Sequence, residues 1–150
     1  MKEKFNKLRE KYSLPSFEEL NDNFDIAQIE KEEALLKQVM TKMMEKVEGY
    51  AKLLEELIHP ENSLAAMYEC NIFNAAEKKK LFQLYKRLLY YSRSGLQAEL
   101  TYEEKGCAEF IKTTYKEWMS LKKELNEFLE KMKNSWIMDL NNKMDSGYFG

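Results

Sequence analysis

The only histidine of this 150-residue chain, His59, follows Glu56 at the i, i+3 spacing that sets a carboxylate and an imidazole on one helix face. Di-iron carboxylate bundles build their centres from such pairs, but they need a second Glu-x-x-His and two more inward glutamates. A single histidine leaves that second half to a symmetric copy. Pro60 also puts His59 at a helix end, a poor place for a buried centre. There an imidazolium is well placed against the helix dipole. A carboxylate-based enzyme or metal protein built on Glu56 and His59 therefore ranks third among three readings.

Other catalytic patterns are missing. The doubled acids Glu18-Glu19, Glu32-Glu33, Glu55-Glu56 and Glu103-Glu104 diverge by about 100° on a helix, so the members of a pair do not meet. The first and last of these fall where helices are expected to begin, and the macrodipole favours carboxylates there. No G-x-S-x-G, glycine-rich phosphate loop or Cys-x-x-Cys is present. The expectation is no catalytic residue, no cofactor and no metal ligand. Cys70 and Cys107 read as reduced, half-buried small hydrophobes rather than a disulfide.

Binding chemistry is better represented. Lys79, Lys86, Tyr90 and Arg93 recur at steps of seven, four and three, so they share one helix face, with Lys80 and Arg87 beside them. Basic groups around a tyrosine suit phosphates and stacked bases, which makes RNA or single-stranded nucleic acid, bound through Lys79, Lys86, Arg87, Tyr90 and Arg93, the second reading. The whole chain is slightly acidic, at −2, and lacks a nucleic-acid module. Residues 75–97 carry six bases and one acid, whereas residues 16–33 carry seven acids and one base. These segments can dock on one another or serve an external partner. The 9 Met, 9 Tyr, 8 Phe and 2 Trp exceed what a core strictly needs, and such residues are favoured at protein interfaces. The expected partner-binding residues form a leftover patch on the Tyr90 and Tyr91 edge, or lie at the Trp136 end of the last helix.

The elements that must position these groups are helical. Five Gly and two Pro are too few for an all-β chain, and the apolar residues recur at three and four. Phe5, Leu8 and Tyr12 give a short first helix that stops before Pro15. Ser16 and Glu19 form a capping box for a second short turn. Asp25 is expected to cap a long helix reaching Ile58, with Leu36, Met40, Met43, Val47, Tyr50, Leu54 and Leu57 as its seam and Val39, Met44, Ala51 and Ile58 widening it. Extrapolated backwards, that seam holds Ile26, Ile29 and Glu33, which suggests an ion pair between Glu33 and Lys122. Ser63 opens a short helix. Asn74 with Glu77 opens another that buries Leu81, Phe82, Tyr85, Leu88, Leu89 and Leu96, with Gly95 as a weak point or a close approach. Thr101 with Glu104 caps the last helix, which follows Ile111, Tyr115, Trp118, Leu125, Leu129, Met132 and Trp136 to about Leu140.

The expected fold is an all-α, up-down helical bundle of three long helices plus two or three short ones. Residues 1–142 would form one domain and residues 143–150 a flexible tail. The segments Leu14-Pro15-Ser16-Phe17-Glu18-Glu19-Leu20 and Leu81-Phe82-Gln83-Leu84-Tyr85-Lys86-Arg87-Leu88 resemble parts of small uncharacterised all-helical proteins of archaeal type. That resemblance implies a cytosolic helical protein and brings no activity. No apolar run approaches the ~20 residues of a membrane span. The first reading is thus a non-catalytic, cytoplasmic interaction module or small scaffold, binding an unknown protein partner or itself and no membrane.

Overall fold

The computed structural model describes the backbone of residues 1–146 and the side chains of residues 1–137. Six α-helices follow in order: α1 (Lys2–Tyr12), α2 (Phe17–Phe24), α3 (Leu35–Ile58), α4 (Leu64–Cys70), α5 (Ala75–Thr101) and α6 (Glu104–Ser146), with a 3-10 turn at Ile26–Gln28. The three long ones, α3, α5 and α6, pack together as an all-α bundle. Successive long helices run in opposite directions. Met44, Glu48 and Glu55 of α3 meet Gly95, Ser92 and Tyr85 of α5, while Glu77 and Arg87 of α5 meet Lys131 and Glu124 of α6.

Local signals placed three helix starts correctly. Ser16 Oγ accepts from the Glu19 amide and the Glu19 carboxylate accepts from the Ser16 amide, each at 3.1 Å. Asn74 and Glu77 repeat this reciprocal box at 2.8 and 3.0 Å, and Ser63 Oγ caps α4 through the Ala66 amide. Backbone and side-chain donors at these boxes hold the Glu19 and Glu77 carboxyls below the ordinary glutamate range; Tyr115 contributes at the first and Lys131 at the second.

Two other starts fell elsewhere. Asp25 ends α2 in the left-handed conformation, and α3 begins ten residues later, after Ala34. The backward seam is therefore interrupted: Glu33 lies exposed in the connection, and Lys122 Nζ donates to Asn23 Oδ1 at 3.2 Å instead of pairing with Glu33. Thr101 is the last residue of α5 rather than the cap of α6. Its hydroxyl bonds back to the Gln97 carbonyl, and Glu104 accepts from the Tyr12 hydroxyl at 2.7 Å, tying α1 to the start of α6. The final helix reaches Ser146, past the expected end at Leu140; of the expected tail, residues 147–150 lie outside the described residues.

The core rows also shift. On α5 the buried row is Leu81, Leu84, Leu88, Ser92 and Gly95, while Phe82 and Leu96 face outward. On α6 it is Ile111, Thr114, Trp118, Leu121, Leu125 and Met132, so the seam runs through Leu121 and leaves Lys122 exposed. Tyr115 and Leu129 are only half-buried, and Trp136 is exposed. Gly95 does serve a close approach: a Cβ there would lie 2.6 Å from both Cγ and Sδ of Met44.

Thr114 is fully buried, and its hydroxyl has no hydrogen-bond partner among the described residues. A buried, unmet hydroxyl costs roughly 1–3 kcal/mol, and valine has the same shape without it. Thr114→Val should therefore raise stability by about 1 kcal/mol. Urea unfolding checks this through a higher midpoint at unchanged slope.

Candidate interaction face on the fifth helix

The basic residues of α5 divide between two sides of the helix. Lys79, Lys86, Tyr90 and Arg93 are all exposed on the ridge opposite the Leu81–Leu84–Leu88 row, as their spacing predicts. The Lys86 ammonium lies 5.8 Å from the centroid of the exposed Phe82 ring. Tyr90, 68% exposed, stands edge-on to Tyr91 at 5.2 Å. Arg93 donates to Ser92 Oγ at 3.2 Å, and Ser92 in turn donates to Glu48 on α3 at 3.1 Å.

Arg87 departs from the expected set. It turns toward α6 and forms an ion pair with Glu124, so it belongs to the α5–α6 contact rather than the ridge. Tyr91 is half-buried beside α6, and burial pushes its hydroxyl above the usual tyrosine range, with the Glu117 charge second.

The acidic segment does not cover the ridge. Glu18 pairs with Lys2 at 2.6 Å, the N-terminal amine pairs with Glu32 at 2.7 Å, and the Tyr115 hydroxyl donates to Glu19 at 3.0 Å. Glu18, Glu19 and Glu32 of this segment are thus engaged by the N-terminus, α1 and α6, and its apolar anchors Leu20 and Phe24 are buried in the core. Docking between the two charged segments within one molecule is thereby replaced by two separate arrangements.

Trp136 sits apart from the tyrosine pair. It lies 19 residues beyond Glu117, the α6 neighbour of Tyr91, about 28 Å along a helix. Its ring packs at a tilt against Tyr68, with centroids 4.3 Å apart, its Nε1 donates to Glu69 at 3.0 Å, and the Tyr68 hydroxyl donates to the Ser135 carbonyl. Trp136 therefore fastens α4 to the far end of α6 and is not part of one patch with Tyr90 and Tyr91.

His59 takes the C-cap position of α3, and its Nε2 lies 3.2 Å from Glu61 Oε1; no ion pair between His59 and Glu56 occurs among the described residues. Both line a cavity of about 790 Å³ with Glu55, Glu61, Ser63 and Tyr85. The Tyr85 hydroxyl donates to Glu55 at 3.0 Å and is held above its ordinary pKa, by burial first and then by that carboxylate. No group of three His, Cys, Asp or Glu side chains able to hold a metal ion occurs among the described residues. Cys70 is half-buried and Cys107 fully buried; both are free thiols, and burial pushes the Cys107 thiol up.

Sequence reasoning missed three members of the exposed face. The spacing places Phe82 and Leu96 in the core and gives no role to Leu100, which is 86% exposed. The signal was present as a step of seven from Phe82 through Leu89 to Leu96 and from Lys86 through Arg93 to Leu100. No helix of the described residues is long and apolar enough to cross a membrane. Comparison with protein-family models, curated proteins and solved structures finds no match to this chain.

Proposed function

We propose that this protein is a non-catalytic helical interaction module that binds an acidic protein partner through the outer face of α5. The observation that carries this reading is that Lys79, Lys86 and Arg93 remain solvent-facing while the acidic segment is engaged by α1 and α6. An exposed basic ridge steers an acidic partner and sets its orientation. Phe82, Tyr90, Leu96 and Leu100 supply apolar contact beside those charges, and two exposed leucines suit a protein surface better than stacked bases.

The test is co-purification from native cells, with and without nuclease, of the wild-type chain and of the double variant Lys86→Glu, Arg93→Glu. The expected result is a stoichiometric protein that survives nuclease and is lost, about tenfold or more, in the charge-reversed chain. A partner retained equally by the variant would overturn the reading. Bound nucleic acid that nuclease removes, taking the variant-sensitive partner with it, would replace this reading with RNA or DNA binding, whose affinity falls steeply with salt.

A further inference from the structure

A second row of residues, largely exposed, runs along α5. Phe82, Lys86, Leu89, Arg93, Leu96 and Leu100 recur at alternating steps of four and three, the 3.5-residue period of a coiled-coil seam. Phe82 and Leu96 are 44% and 45% exposed, Leu100 is 86% exposed, and Leu89 is half-buried. Single apolar side chains on a surface are ordinary, but a row in heptad register is a helix-docking face. It lies roughly 100° around α5 from the buried row. α3, α5 and α6 meet on the inner side; Leu89 packs partly against that core, while Phe82, Lys86, Arg93, Leu96 and Leu100 are exposed among the described residues.

The charges on the seam define what can cover it. In heptad terms Phe82, Leu89 and Leu96 occupy one core position, and Lys86, Arg93 and Leu100 the other. Two bases at seam positions penalise an apolar or basic partner, and parallel self-pairing in register would oppose Lys86 and Arg93 with their own copies. The chain's own acidic segment is a poor candidate from a second copy, because Leu20, Phe24 and Ile26 already bury its apolar side. The complement is a helix with leucines against Phe82, Leu89 and Leu96 and carboxylates against Lys86 and Arg93. From Phe82 to Leu100 the seam spans about 27 Å, which matches roughly three heptads.

Resting on the function proposed above, we infer that the partner presents an acidic amphipathic helix that packs lengthwise on this outer seam. The partner's leucines supply the apolar burial, and its carboxylates fix the register against Lys86 and Arg93.

The probe is a synthetic 21-residue peptide of three heptads, with Leu at one seam position, Glu at the other in the two heptads that face Lys86 and Arg93, Leu there in the heptad that faces Leu100, and polar residues elsewhere. A control peptide has the same composition but a scrambled order that spreads the leucines around the helix. Fluorescence anisotropy with the full chain is expected to give saturable binding of the heptad peptide and binding at least about tenfold weaker for the control. The double variant Leu96→Ser, Leu100→Ser should weaken the heptad peptide by a similar factor while its circular dichroism melt stays that of the wild type. Equal binding of both peptides, with that variant unaffected, overturns the seam and leaves an acidic partner for α5 standing. Absence of heptad-peptide binding also overturns the seam. Failure of the broader reading is seen separately, as a co-purifying protein insensitive to Lys86→Glu, Arg93→Glu.

Discussion

Replacing Trp118 with alanine is expected to lower stability by about 3–5 kcal/mol, the range for removing a large buried aromatic. Trp118 is 2% exposed and stands where three helices meet. Its ring lies 5.2 Å from that of Phe24 on α2 and 6.1 Å from that of Tyr50 on α3, and its Nε1 donates to Asn23 Oδ1 at 3.2 Å. Asn23 also accepts from Lys122 and donates through its amide to the Glu19 carbonyl, so one hydrogen-bonded side chain anchors α2 to α6. The alanine variant leaves a cavity and removes the partner of Phe24. With a total stability of roughly 5–15 kcal/mol for a chain of this kind, the melting temperature should fall by on the order of 10 °C. Trp118→Phe keeps one aromatic ring against Phe24 but loses the second ring of the indole and the Nε1 donor, so it should cost less than the alanine variant without being neutral. Denaturant melts followed by circular dichroism check both. A loss below about 1 kcal/mol for the alanine variant would mean that the α1–α2 layer contributes little to the bundle.

The same substitution at two helical glycines should change stability in opposite directions. Gly49 lies on the exposed side of α3, and a Cβ there meets nothing within 4 Å. Gly49→Ala should therefore gain up to about 1 kcal/mol from helix propensity alone. Gly95 enjoys the same propensity gain, but its Cβ would fall 2.6 Å from Met44 Cγ and Sδ and 3.1 Å from Cε. The Sδ and Cε atoms can swing away, whereas Cγ moves only with a change of rotamer or of the α3 backbone. Overpacking of this kind costs roughly 1–3 kcal/mol, so it wins and Gly95→Ala should destabilise by about 1 kcal/mol net. Parallel urea titrations measure both variants. A Gly95→Ala chain as stable as the wild type would show that α3 and α5 are not held at this close approach.

The contrast between Gly49 and Gly95 marks the limit of what the chain shows without its neighbours. Ser16 with Glu19, and Asn74 with Glu77, were legible because a capping box closes within four residues and needs no other element. The spelling of such a box is not sufficient, however. Thr101 and Glu104 match the pattern, yet Thr101 ends α5 and Glu104 answers Tyr12 of α1. Asp25 likewise looked like the start of α3, but it closes α2, because Ile26 and Ile29 are drawn into the core before the next helix begins.

The candidate face was half legible for the same reason. Spacing alone put Lys79, Lys86, Tyr90 and Arg93 on one ridge, since a helix fixes which residues share a face. Spacing did not say which apolar row of α5 turns inward. Leu81 and Phe82, like Leu88 and Leu89, are consecutive and point about 100° apart, so two rows compete for the core. The row that turns inward includes Ser92 and Gly95: the missing side chain at Gly95 lets Met44 close in, and Ser92 donates to Glu48 across the same contact. The periods and caps that make this chain helical are thus set by contacts within a turn or two, and the sequence determines them by itself. Which face is core and which is left for a partner depends on contacts between helices some 40–50 residues apart in sequence, and only the tertiary structure decides that.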